Sequence, residues 1–186
     1  SLPDEHVLSA LMDERRLTRA ELATRTGISK PTVSESVRRL SAAGLLQDTG
    51  ERTTGRGRIG SYYALADDVG SALVISIAPE GIVAERIDAY GEVTARFDRA
   101  IQRPARPAQV TKALRLAAQA ACRDGTFVRL AVVSAADPVD RATGRMVHLP
   151  DAPFLVGELS PVDVLAGFVD GPVTVDNDVN WAARAE

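Results

Sequence analysis

Residues 18 to 46 read TRAELATRTGISKPTVSESVRRLSAAGLL, two short amphipathic helices separated by a glycine. Thr18 followed three residues later by Glu21 forms a capping box, Leu22 and Ala23 supply an apolar face, and Gly27 ends the first of the two helices. Ser29 caps the second, and Pro31 is tolerated in its first turn, where the missing N–H has no helical partner to lose. Val33, Val37 and Leu40 recur at i, i+4 and i+7 and make the buried stripe, so Lys30, Thr32, Ser34, Glu35 and Arg38 project elsewhere. Upstream, residues 4 to 16 place Val7, Leu8, Leu11 and Met12 at helical spacing, with acids early and arginines late as the helix dipole favours. Downstream, Gly44 closes the last helix, residues 45 to 49 and 62 to 65 read as strands, and TTGRGRIG at 53 to 60 is the loop between them. Residues 1 to 66 are thus expected to form a winged helix-turn-helix.

That arrangement can lay its last helix in a DNA major groove and set a basic hairpin against the neighbouring backbone or minor groove. Short helix pairs with a glycine turn also serve dimerisation and protein-interaction modules. The GRGR run favours DNA, because Arg56 and Arg58 ride on flexible backbone that can enter a minor groove or grip phosphates. The expected DNA contacts are Arg19, Ser29, Lys30, Thr32, Ser34 and Arg38, joined by Arg56 and Arg58 from the loop. Glu35 has two readings, acceptance from a cytosine N4 or pairing with Arg38 or Arg39 on its own helix.

The formal charge of −3 conceals an asymmetry. Residues 1 to 66 carry 10 Arg and Lys against 8 Asp and Glu, whereas residues 67 to 186 carry 12 against 17. Within residues 25 to 60 the balance is 7 to 3, so positive charge gathers where phosphates would be neutralised. The acidic remainder argues against a second nucleic-acid surface. A chain of 186 residues with 45% hydrophobic content has room for one domain or two small ones and is not compositionally disordered. Cys122 is the single cysteine, so no intrachain disulfide can form; it is expected to be a small buried hydrophobe, and a reducing, cytoplasmic setting fits. No run approaches the ~18 continuous apolar residues of a membrane span, and SLPDEHVLSALMDERR is too charged for a signal peptide.

Asp67-Asp68-Val69-Gly70 is a polar break, and the segments 71 to 78, 81 to 88 and 93 to 100 that follow read as an antiparallel meander. The spacer RPARP leads to an amphipathic helix from about Ala108 to Cys122, then to a buried strand at 127 to 134. PVTVD ends a further strand at Asp176, and a helix begins near Val179. Strands followed by alternating helix and strand indicate a mixed-sheet α/β lobe over residues 67 to 186.

DNDVN, Asp176 to Asn180, stands where that strand gives way to the helix. Asp and Asn gather at helix N-caps for local hydrogen bonding, which one such residue satisfies. A carboxylate at a strand end can also orient and deprotonate a hydroxyl while a neighbouring amide fixes another. Residue spacing leaves both readings open.

VSAADPVDRATGRMVHLPDAPF (133 to 154) and VDNDVNWAARAE (175 to 186), behind a winged helix, resemble the ROK family of repressors, open reading frames and kinases. The resemblance runs through nearly the whole chain. It implies an actin-like, ribonuclease-H-like sugar-kinase lobe behind the DNA-binding head, sensing a sugar or sugar phosphate. It also implies that the Asn-Asp pair of the kinases, which binds sugar hydroxyls and supplies the catalytic base, falls on Asn177 and Asp178. His148 is a further ligand-side candidate, set against the reading of an ordinary surface histidine. Kinases of the family open the lobe with an Asp-x-Gly-x-Thr phosphate loop, and this chain has Ser76-Ile77-Ala78-Pro79-Glu80 there. Proline removes a backbone donor and glutamate repels phosphate, so neither ATP use nor catalysis is expected, and no cofactor. Ala135-Ala136-Asp137 replaces the family's small sugar-side turn and adds bulk and charge. The family's zinc-binding cysteines fall beyond Glu186, so no metal is expected, and a family lobe continues for another half or so. The resulting expectation is a homodimeric regulator, a repressor of carbohydrate genes on a palindromic operator. Two rivals remain: a bifunctional sugar kinase with a DNA-binding head, and a ligand-independent DNA-binding protein with a vestigial lobe.

Overall fold

The computed structural model describes residues 1–54, 59–125, 127–148, 150–151 and 158–185. The chain divides into two compact units, Ser1–Val69 with Ala89–Gly91, and Gly70–Asp88 with Glu92–Glu186. Each has its own buried cluster.

In the first unit α1 (Leu2–Glu14) leads into β1 (Arg16–Thr18), α2 (Arg19–Thr26), α3 (Lys30–Ala42), β2 (Leu46–Arg52) and β3 (Ser61–Leu65). Helix α1 stops two residues short of the expected 16 because Arg15 takes a positive φ of 60° and turns the chain into β1. That strand was not expected from sequence; it pairs antiparallel with β3, which also pairs with β2, in the order β1-β3-β2. The capping box at Thr18 is complete: its Oγ1 accepts from Glu21 N at 3.2 Å, and Glu21 Oε2 accepts from Thr18 N at 2.7 Å. Gly27 ends α2 at φ 70°, a left-handed conformation that costs glycine little, and donates its N–H to Ala23 O. Ser29 Oγ caps α3 by accepting from Thr32 N. Val33, Val37 and Leu40 are buried as their spacing requires, with Ser36 beside them, against Val7, Leu11 and Leu22.

The second unit opens with β4 (Ser71–Ala78), β5 (Gly81–Ile87) and β6 (Val93–Ala100), the expected meander. Then come α4 (Pro107–Ala121), β7 (Val128–Ala135), the two-residue strands β8 (Val139–Asp140) and β9 (Arg145–Met146), α5 (Pro161–Leu165), β10 (Val173–Asn177) and α6 (Asp178–Ala185). The sheet order is β10-β7-β4-β5-β6, with β4, β7 and β10 mutually parallel. Helix α4 buries Val110, Leu114, Ala117, Ala118 and Ala121 in the same cluster as Ile75, Ile77, Ile82 and Val133. Its alanines let the helix approach the sheet closely. Cys122 lies at the C-cap of α4 and is half-buried rather than fully enclosed, and desolvation pushes its thiol pKa up. At the start of β5, Gly81 adopts φ 151°, and a Cβ there would stand 2.3 Å from Arg99 O on β6. No side chain fits.

Arg86 breaks the alternation of β5, since it shares the inward face with Ile82 and Ala84 yet is only 6% exposed. Its guanidinium closes the C-terminal end of α4. It donates to Ala121 O at 3.1 Å and to Thr94 Oγ1 at 3.0 Å, and forms a two-point ion pair with Asp124, of which the Nη2 to Oδ2 contact is 2.6 Å. A buried charge persists here because every side of it is hydrogen-bonded.

Candidate nucleic-acid interface

The N-terminal ends of α2 and α3 and the base of the β2–β3 hairpin enclose an open groove of about 490 Å³. Arg19 from the first turn of α2, Lys30 and Ser34 from α3, and Thr53, Ser61 and Tyr63 from the hairpin line it. The hairpin base is fixed by a reciprocal pair: Thr53 N donates to Gly60 O, and Gly60 N donates to Thr53 Oγ1, both at 2.9 Å. The Arg19 guanidinium lies 4.9 Å over the ring of Tyr63, which is itself buried in the core. A guanidinium held by an aromatic face has less freedom to lose when it meets an anion.

Most other cations of this unit are engaged. Arg39 donates to Asp4 at 2.7 Å and to Ser36 Oγ at 3.2 Å, and this hydrogen bond holds the Asp4 carboxyl down at about 2. Arg52 pairs with Asp48 at 2.8 Å, Arg16 pairs with Glu51, and Arg25 reaches Asp13 and Glu14. Arg19 and Lys30 have no ion pair among the described residues. The groove therefore carries positive charge that no described carboxylate neutralises.

Of the residues singled out from sequence, Arg19, Lys30 and Ser34 come together in this groove. Ser29 and Thr32 sit at the start of α3 but are occupied in its cap, their hydroxyls 2.8 Å apart. Arg38 stands one turn beyond Ser34 on the outer face of α3, paired with Glu35 through contacts of 2.6 and 2.9 Å. The intrahelical reading of Glu35 is the one seen, and Arg38 holds its carboxyl below the ordinary carboxylate range. Arg56 and Arg58 lie outside the described residues. Sequence reasoning did not single out Tyr63, Thr53 or Ser61. The paired tyrosines of SYYAL, pointing to opposite faces of a strand, were the available signal, for Arg16 lies over Tyr62 as Arg19 lies over Tyr63.

In the second unit the DNDVN segment spans the end of β10 and the start of α6. Asp176 is buried; its Oδ1 accepts from Asn177 N at 2.8 Å and from Asn180 Nδ2 at 2.7 Å, with Arg141 at 3.5 Å. Asn177 Oδ1 accepts from Val179 N at 2.9 Å, and its Nδ2 donates at 3.4 Å to the carbonyls of Ala136 and Asp137 past the end of β7. Asp178 is exposed and accepts from Val179 N at 2.7 Å. Three polar residues thus share the helix start, two of them bonding the same backbone N–H. Asp137 is buried beside them, and desolvation raises its carboxyl pKa. His148 is exposed two residues beyond β9. The β4–β5 turn at Pro79 and Glu80 is tight, with Ala78 paired to Gly81, and Arg103 Nε donates to Pro79 O at 3.1 Å. Among the described residues no group of three or more His, Cys, Asp or Glu side chains is placed to hold a metal ion, and no helix is long and apolar enough to cross a membrane.

Residues 3–47 match the protein-family model described as winged helix-turn-helix DNA-binding, and the N-terminal unit is a domain of that class. The whole chain has the fold of a ROK family transcriptional regulator, a homologue of the E. coli Mlc protein: TM-score 0.63 and 18% identity, over 97% of this chain and 46% of that one. The lobe alone resembles a ROK family glucokinase from Streptomyces griseus in complex with glucose and AMPPNP, at TM-score 0.50 and 25% identity over 61% of this chain and 35% of that one. It likewise resembles the ROK hexokinase from Thermus thermophilus, at TM-score 0.50 and 24% identity over 62% and 38% of the two chains. This chain therefore spans less than half the length of the solved structures it resembles. No curated protein sequence matches it significantly.

Proposed function

We propose that this chain is a DNA-binding transcriptional regulator, a repressor of carbohydrate-related genes in the cytoplasm, with residues 1 to 66 as the DNA-binding domain and residues 67 to 186 as sensor. The observation that carries the proposal is the groove of the winged helix, where Arg19 and Lys30 stand free of described carboxylates beside the exposed start of α3. Phosphates of duplex DNA seat against Arg19 and Lys30, and Ser29, Thr32, Ser34, Arg38, Arg56 and Arg58 extend the contact to base edges and the adjoining backbone. The protein binds as a homodimer, so its operator is palindromic, with half-sites one helical turn or a multiple of it apart.

A sugar or sugar phosphate held by Asn177 and Asp178, with His148 as a further candidate on the ligand side, shifts the DNA affinity by binding one conformation better than the other. Support for this effector comes from the glucose-bound glucokinase that the lobe resembles, and from the exposed carboxylate of Asp178 at the first position of α6, just past β10. The same likeness favours a second reading, a sugar kinase with a DNA-binding head. Pro79 and Glu80 in the β4–β5 turn argue against it, because a phosphate cradle needs N–H donors there and no carboxylate. We read the protein as a non-enzyme without cofactor.

Electrophoretic binding to the DNA upstream of its own gene, repeated with a panel of sugars, tests the reading. Release by one sugar that is lost in Asp178→Ala is the expected result; release unchanged in that variant would remove the pocket assignment. A coupled assay with ATP and hexoses in which turnover appears and is abolished by Asp178→Asn would establish the kinase instead.

A further inference from the structure

The recognition helix α3 carries one acid, Glu35, and it stands on the outward face among the candidate DNA contacts. Its carboxylate meets Arg38 side-on: Oε2 accepts from Nε at 2.9 Å and Oε1 accepts from Nη2 at 2.6 Å, and Arg39 Nη1 stands farther off, 3.6 Å from the same Oε1. Both side chains are open to solvent, at 48% and 68% exposure, so the pair contributes little to folding. A carboxylate on this face also repels phosphate and weakens binding to DNA of any sequence. Glu35 thus costs general affinity, and its tight two-point grip is on Arg38, whereas Arg39 is held chiefly by Asp4 at 2.7 Å; the property that the grip on Arg38 suits is base selection.

A guanidinium has five N–H donors. The contacts to Glu35 occupy the edge formed by Nε and one hydrogen of Nη2, and they leave the opposite edge, formed by Nη1 and the second hydrogen of Nη2, pointing away from Glu35. Those two parallel donors match the O6 and N7 acceptors of guanine in the major groove. We infer that Glu35 is a specificity-determining positioning residue, which holds Arg38 side-on so that its free edge reads a guanine end-on. Without Glu35 the arginine can swing to the nearest phosphate and bind without regard to sequence. Lysine at position 38 cannot do both tasks, having a point charge in place of two edges.

The inference rests on the DNA-binding reading, and the test separates the two. The 186-residue chain is used to select duplexes from a randomised double-stranded library, and the enriched duplex is then titrated against its guanine-substituted counterparts. The wild type is expected to enrich a guanine at one position of each half-site, with a loss of about ten- to a hundredfold on substitution there. Glu35→Ala is expected to erase that preference while binding unselected duplex at least as tightly, and Arg38→Lys to erase it as well. The Glu35 site is exposed, and circular dichroism of each variant checks that the fold is kept. If Glu35→Ala enriches the same guanine to the same degree, or the wild type shows no guanine preference, the inference is overturned and DNA binding stands. If the wild type retains no duplex even at low salt, the DNA-binding reading fails first.

Discussion

At the scale of single residues, the Asp4–Arg39 pair ties the start of α1 to α3, and its effect depends on pH in a defined direction. Arg39 donates to Asp4 at 2.7 Å and lowers the carboxyl from the ordinary 3.8 to about 2. Because the unfolded chain takes up the proton first, the stabilisation is complete above about pH 4 and is lost as the pH falls towards 2. Asp4→Asn should therefore lower the melting temperature of the helical signal at pH 7, with the gap to wild type closing by about pH 2. A gap that stays constant across that range would mean the pair does not stabilise the fold electrostatically. The residues of α3 divide on the same grounds. Ser29 and Thr32 could be identified from sequence, but their hydroxyls serve the cap, and the engagement of Arg38 by Glu35 was one of two readings that spacing could not separate. Which partner a side chain takes is settled by rotamers and packing, which periodicity does not encode.

At the scale of elements, the helices and long strands were legible because capping and apolar spacing are local. Thr18 closes a reciprocal capping box, so Thr18→Ala should cost ~1 kcal/mol of stability in urea, read by far-ultraviolet circular dichroism. An unchanged midpoint would show that the cap is redundant with the β1–β3 pairing. Strand β1, the β8–β9 pair and α5 were not legible, for each is too short to show a period, and β1 exists only because β3 offers it an edge. Arg86 is the instructive case in the lobe. Alternation along GIVAERI assigns its position to the apolar face, and only the approach of the α4 end, 35 residues on, supplies Ala121 O and Asp124. Arg86→Ala should destabilise the lobe by about 2–3 kcal/mol, through lost charge-assisted hydrogen bonds. Trp181 reports this directly, since it is the single tryptophan and its indole N–H donates to Val133 O at 3.0 Å in the lobe sheet. No shift of the fluorescence midpoint would show that solvent replaces the pair without loss.

At the scale of the whole molecule, an acidic lobe of ROK regulator fold accompanies a winged helix with a groove in which Arg19 and Lys30 stand free of described carboxylates. The fold class follows from patterns that survive without any alignment: capping signals, a basic hairpin, and three strands followed by alternating helix and strand. The candidate site was legible in part, as Arg19, Lys30 and Ser34, while Tyr63 was hidden because its role comes from a strand packing beneath α2. The central claim is that this groove holds DNA phosphates, and salt dependence of binding tests it most directly. Fluorescence anisotropy of a labelled duplex, titrated with the 186-residue chain at several salt concentrations, gives the slope of log affinity against log salt. Arg19→Ala and Lys30→Ala should each weaken binding by a similar factor for every duplex and make that slope shallower by about 1. Wild-type slope and affinity in both variants would contradict the account.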